Sequence, residues 1–284
     1  MTALQSLIKT LTLEPIEVNL FRGQTPVEEQ NNARIYGGQV IAQALMAAYQ
    51  TVEGRLCHSL QAYFIRPGDP KAPVLYEVER SRDGKSFTTR RVIAIQHGEQ
   101  ILNLAASFQV LEDGYEHEFP LPEVVGPEGL PNDAELALAN TELPEQFKAW
   151  ARRDRAIEIR RPAPRNLLRP EKREPFSRVW FRAAEDLGDD PIMNQVVLTY
   201  ATDMALLDTC MLPHAASWMT GVQVASLDHV LWFHRPVRMA DWHLYDMDSP
   251  SASGARGFNR GLIYDSAGRL VASAVQEGLI RRRT

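Results

Sequence analysis

The chain has 284 residues, enough for one large domain or two of ordinary size, and its 44% apolar and 24% charged residues are the composition of a folded globular protein. A formal net charge of -5 excludes the basic footprint of a nucleic-acid-binding surface, so an anionic ligand must be met by local basic groups. Two cysteines, Cys57 and Cys210, allow at most one bridge; each lies in an apolar or helical context, which predicts buried reduced thiols and a cytoplasmic setting.

The opening residues carry no basic region followed by an apolar core, and no stretch approaches 18 uncharged apolar residues, so neither secretion nor a membrane span is expected. SLIKTLTLEPIEVNLFRG reads as a short amphipathic helix followed by a strand. IYGGQVIAQALMAAYQTV reads as a helix introduced by glycines, with apolar Val40, Ile41, Ala44, Leu45 and Ala48 and small residues over most of the rest. Such a helix requires burial on all sides, and the three or four antiparallel strands predicted after it would cover it by wrapping round it. Residues 111–175 hold nine of the 18 prolines and mark a linker. Within it, LPEQFKAWARRDR predicts a short surface helix with a solvated face, and AIEIRR the strand that opens the second half. SRVWFRA then predicts a strand, PIMNQVVLTYATDMALLDTCMLP a helical region, and Val222 to Ile280 three further strands; the GLIRRRT end is a charge run expected to face solvent.

The two halves repeat one another. HSLQAYFIRPGDP and SLDHVLWFHRPVRM are both alternating aromatic-aliphatic strands ending in Arg-Pro, with Arg66-Pro67 and Arg235-Pro236 169 positions apart. Each is followed by a polar turn, a strand, a glycine turn and a strand running into a glutamine. On this alignment Arg90 corresponds to Arg260 and, with a three-residue slip, Gln109 to Gln276.

Asp203 falls in TYATDMALLDTC near where the apolar helical pattern begins, so it reads either as a cap stabilised by a helix N-terminus or as a general base beside an apolar pocket. The Ser226 hydroxyl can cap a turn or serve the same site, and Gln276 among apolar neighbours needs hydrogen-bond partners. Asp228 shares the Ser226 face and is a backup acid or base. There is no Gly-x-Ser-x-Gly elbow and no phosphate-binding glycine loop, and strand alternation puts His229 and His234 on opposite faces, which argues against zinc.

Seven blocks in order, FRG, YGGQVIAQAL, HSLQAYFIRPGD, SRDGKSFTTRRV, YATDMALLDT, ASLDHVLWFHRP and SAVQEGLIR, resemble the type II acyl-CoA thioesterase family, the bacterial TesB-like enzymes. The resemblance implies an α+β double hotdog: two tandem repeats, each an antiparallel sheet wrapped around a central helix. Residues 1–112 would form the N-terminal hotdog, 113–155 the linker and 156–284 the C-terminal hotdog. It implies hydrolysis of fatty acyl-CoA through an activated water, with the catalytic roles falling on Asp203, Ser226 and Gln276. Many members carry threonine at the Ser226 position. Gly38, Gln39 and His58 match blocks of the first half and would help to bind substrate. No cofactor or metal is implied, since coenzyme A is part of substrate and product; a homodimer or homotetramer is the expected assembly. Two other readings stand beside it: a non-catalytic acyl-CoA binding protein, and a hotdog hydratase-dehydratase acting on enoyl or hydroxyacyl thioesters.

Overall fold

The computed structural model describes residues 1–282; Arg283 and Thr284 of the terminal charge run lie outside the described residues, while Arg281 and Arg282 are exposed. The first half comprises helix α1 (Ala3–Leu11), strands β1 (Glu14–Glu17) and β2 (Leu20–Gly23), helix α2 (Gly37–Tyr49) and strands β3 (Leu56–Phe64), β4 (Val74–Asp83), β5 (Phe87–Gln96) and β6 (Glu99–Gln109). Helices α3 (Asp133–Ala139) and α4 (Glu145–Ala151) follow. The second half has β7 (Ile157–Arg160), β8 (Phe176–Ala183), helix α5 (Pro191–Thr202), a 3₁₀ segment (Leu206–His214), and β9 (Val222–Ser226), β10 (Asp228–Phe233), β11 (His243–Ser253), β12 (Arg256–Tyr264) and β13 (Leu270–Arg282).

Local chemistry accounts for the main elements. Thr2 and Gln5 close a reciprocal capping box at the start of α1, which buries Leu4, Leu7 and Leu11 along one stripe. Helix α2 is buried at nearly every position, as its small and apolar composition requires. The β5-β6 hairpin turns on His97 and Gly98, both with positive φ, the geometry that matches strand twist.

The strands form one antiparallel path, β1-β2-β4-β5-β6-β3-β10-β13-β12-β11-β8-β7, with β9 on the end of β13. Strands β3 and β10 pair antiparallel and so fuse two half-sheets into one. The first half-sheet wraps α2, the second closes over α5 and the 3₁₀ segment that follows it, and α2 packs against α5 in a shared core. The expected two-repeat architecture is the one observed. Five strands rather than three occupy Val222 to Arg282. The alternation through Val222–Phe233 hides a break at Leu227, whose N–H donates to the Glu277 carbonyl while its own carbonyl accepts from Phe64 N–H. Among the described residues no helix is long and apolar enough to cross a membrane.

Pairing corrects the repeat alignment. Arg90 pairs with Ala106 and Asn259 with Gln276, and all four are buried on the inner face, so Asn259 and Ala106 are the mates of Arg90 and Gln276. Arg260 faces outward onto Asp248, and Gln109 donates to exposed Glu112. The registers differ by one residue at Arg90 and by three at Gln276, and in a strand an odd slip exchanges the faces. Cys57 pairs with Phe108 as Ser226 does with Gly278, which makes Cys57 the mate of Ser226.

Candidate active site

Asp203 lies at the C-terminal end of α5, immediately after Thr202, and not near a helix start as the sequence pattern suggests. The carboxylate therefore gains nothing from its own helix dipole, whose C-terminal end disfavours negative charge. It meets instead the N-terminus of α2 from the other half, where the Gly38 N–H points at it. Helices α2 and α5 approach so closely here that a Cβ on Gly38 would lie 2.5 Å from the Tyr200 carbonyl oxygen.

Three side chains converge. Ser226 Oγ donates to Asp203 Oδ1 at 3.1 Å, and Gln276 Nε2 donates to the same oxygen at 2.6 Å. Ser226 is supplied by β9 beside the break at Leu227, and Gln276 by the inner face of β13. Oδ2 faces Gly37, where any Cβ would stand 2.8 Å away. One carboxylate oxygen is thus held by two side-chain donors and the other looks into the space left by a missing side chain.

Burial pushes the Asp203 carboxyl up to about 6 from its ordinary 3.8, against the donors Gln276, Ser226 and Gly38 and the positive charge of Arg34, which favour the ionised form. The sequence argument for a depressed carboxyl at a helix N-terminus is overturned by desolvation. Burial likewise raises the Tyr36 and Tyr245 phenols, each with the Asp203 charge adding to it, so both stay protonated.

Asp203 and Ser226 open onto a cavity of about 920 Å³ whose wall includes Val40, Phe64, Met204, Leu207 and Val224, together with Trp150 and Trp218. Trp150 belongs to α4, so the linker helix expected to be a solvated surface piece contributes an aromatic wall, with the Arg155 guanidinium stacked over it at 3.4 Å. Tyr36 and Met204 separate this space from a second cavity of about 980 Å³ that contains Gln39, Arg153 and Arg155.

The remaining sequence candidates fall elsewhere. Gln276 is fully buried and lies behind Asp203, outside the cavity wall. Gln39 donates to Thr25 Oγ1 and lines only the second cavity. His58, at the opposite end of β3 from Phe64, bonds Ser107 and packs edge-on against Phe87, away from both cavities. Asp228 accepts the Glu277 N–H at 2.6 Å and does not reach the cavity. Two residues without an individual role in the sequence reading belong with the group: Gly37, carried there only within the YGGQ block, and His229, weighed there only in the argument against zinc. Among the described residues no cluster of three potential metal ligands occurs.

The first half has the same framework without the chemistry. Tyr49 closes α2 as Asp203 closes α5, its hydroxyl accepting the Cys57 N–H and touching Gln195. With Cys57 and Ala106 at the Ser226 and Gln276 positions, no carboxylate remains there.

Comparison with known proteins places the fold in a family. Residues 148–279 match the family model described as acyl-CoA thioesterase, and residues 26–109 match the one for the acyl-CoA thioesterase N-terminal domain. The chain is 38% identical to Acyl-CoA thioesterase 2 of Haemophilus influenzae, over 98% of both chains. It is 40% identical to human Acyl-coenzyme A thioesterase 8, over 95% of this chain and 87% of that one. Among solved structures it is similar to acyl-CoA thioesterase II TesB2 of Mycobacterium marinum, with TM-score 0.79 and 39% identity over 98% of this chain and 99% of that one. The tesB protein of Mycobacterium avium subsp. paratuberculosis gives TM-score 0.80 at 29% identity over the same shares. With both halves matched in order and the helix-wrapped repeat present twice, the chain belongs to the TesB-like acyl-CoA thioesterase family of double-hotdog proteins.

Proposed function

We propose that the chain hydrolyses fatty acyl-CoA to free fatty acid and coenzyme A, with Asp203 as general base, Ser226 as the hydroxyl that holds it, and Gln276 as the amide that orients it. The observation that carries the reading is the Asp203 carboxylate itself: Oδ1 accepts from Ser226 and Gln276, Oδ2 accepts from no side chain, and Asp203 lines a large cavity walled by both apolar and polar residues. A water at Oδ2 would lose its proton to Asp203 as its oxygen attacks the thioester carbonyl carbon. The carbonyl electron pair moves onto oxygen, and the N–H at the start of α2 that is not already bonded, that of Gly37, is the donor that can steady that charge. Collapse expels the coenzyme A thiolate, and the proton held by Asp203 passes to it directly or through solvent.

A carboxyl near 6 is a stronger base than an exposed aspartate and is still mostly ionised at neutral pH. A hydratase-dehydratase reading needs a histidine that reaches substrate; the nearest, His229, is fully buried behind Gln276. Supporting a cytoplasmic, reducing location are Cys57 and Cys210, both buried free thiols. Self-association as a homodimer or homotetramer belongs to the same proposal and is supported by Tyr63, 63% exposed on the outer face of central strand β3. Light scattering decides between these assemblies.

Steady-state release of free thiol from an acyl-CoA series of C4 to C18 tests the function. Sustained turnover with substrate in excess is expected. Tight binding of the same acyl-CoAs with no thiol released would replace the hydrolase by a binding protein.

A further inference from the structure

We propose that His229 is a positioning residue for hydrolysis, fixing the Gln276 amide in the one orientation that aims its N–H at Asp203. The inference rests on the reading of Asp203 as base given above.

The proton count along the buried chain of groups settles each role. Thr202 Oγ1 donates its only proton to the Thr199 carbonyl at 2.9 Å, so toward His229 it can only accept. The 3.0 Å contact between Thr202 Oγ1 and His229 Nε2 therefore carries an Nε2–H. In the neutral ring this leaves Nδ1 bare, and Nδ1 accepts one proton of Gln276 Nε2 at 3.3 Å. The second proton of that amide goes to Asp203 Oδ1 at 2.6 Å.

Flipping the amide would set Oε1 against both the carboxylate and the ring lone pair. The observed orientation leaves Gln276 Oε1 buried without a partner, a penalty that a free amide would avoid by rotating. Two acceptors, one of them His229, hold the amide against that cost. Burial holds the imidazole down to about 4, which keeps it neutral and accepting across the working range. Neither His229 nor Gln276 lines the cavity, so His229 acts on the reaction only through Asp203.

The test separates acceptance at Nδ1 from mere packing. His229→Asn can place an oxygen near the Nδ1 position, His229→Gln places its amide near Nε2, and His229→Leu offers neither. His229→Gln and His229→Leu should lower kcat about 10- to 100-fold with KM nearly unchanged, because only the base is misaligned. His229→Asn should recover most of that loss. In a Gln276→Met background, adding His229→Leu should cost less than about 2-fold more, since the amide it orients is gone. Where urea denaturation shows His229→Leu unfolded, His229→Gln takes its place in the cycle. Equal losses in His229→Asn and His229→Gln, or losses that multiply in the double variant, would overturn the proposal. Asp203→Asn run beside them keeps the two readings apart. An active Asp203→Asn removes the base and this inference with it, whereas an inactive Asp203→Asn beside a fully active His229→Leu removes the role of His229 alone.

Discussion

Gly37 and Asp203 come from different halves of the chain, yet a Cβ on Gly37 would lie 2.8 Å from Asp203 Oδ2 and 3.0 Å from the Phe64 ring. The absence of a side chain at the start of one helix leaves room in front of the carboxylate at the end of the other. On the proposed mechanism the attacking water approaches the carboxylate past this glycine, so the half that carries Asp203 depends on a residue of the other half.

Gly37→Ala should therefore lower kcat about tenfold or more while the protein stays folded, because displacement of the reacting groups by about 1 Å is costly. Gly37→Val should be inactive. Thiol release and a urea unfolding curve on each variant check this; an alanine variant with wild-type kcat would mean that the water lies elsewhere.

The ionisation of Asp203 links activity and stability with opposite signs. Its carboxyl, at about 6 folded against an ordinary 3.8, holds its proton more tightly in the native state. Its contribution to stability is present below the unfolded value and lost as pH rises through about 6, at a cost of about 3 kcal/mol over the two units. Activity needs the ionised form and should rise through the same window. Urea midpoints at pH 5 and 7.5 should therefore fall more in wild type than in Asp203→Asn; identical pH slopes in the two proteins would contradict the buried carboxyl.

Ser226→Ala removes a donor that favours ionised Asp203, so kcat should drop about 10- to 100-fold and the acidic limb of the pH profile should move to higher pH. Ser226→Thr keeps the hydroxyl and should stay within about threefold of wild type. The pH dependence of kcat/KM for both variants is the check, and an unshifted limb in Ser226→Ala would uncouple the hydroxyl from the base.

The two-repeat fold, the buried glycine-led helix and the convergence of Asp203, Ser226 and Gln276 were legible in the sequence because periodicity and ordered blocks report them. Residue register was not. The β5-β6 hairpin turns on His97 and Gly98, the β12-β13 hairpin on residues 265–269, and bulges interrupt the pairing beside both. A gain of one residue turns a plausible alignment of Arg90 with Arg260 into a pairing of opposite faces. The end of the helix bearing Asp203 was misread for a related reason: the apolar run continues past it into a 3₁₀ segment that packs on Gly257 and Gly278, and composition does not distinguish the two. The amide chain through His229 was invisible, since it joins residues up to 77 positions apart.

Arg90 and Arg260 supply a direct check of the register. Arg90 is buried and bonds the Thr51 hydroxyl, the exposed Asp83 carboxylate and three backbone carbonyls, so Arg90→Leu, which strips buried acceptors of their donor, should cost at least about 2 kcal/mol. Arg260→Leu removes an exposed pair with Asp248 and should cost under about 1 kcal/mol. Equal urea midpoints for the two variants would restore the simpler alignment.

The most direct measurement of the central claim is kcat for acyl-CoA hydrolysis in Asp203→Asn against wild type, with acyl-CoA affinity determined separately on each. General-base catalysis by Asp203 predicts a loss of about 100- to 10,000-fold in kcat with affinity preserved. A variant that is folded, binds substrate and turns over within a few-fold of wild type would contradict it.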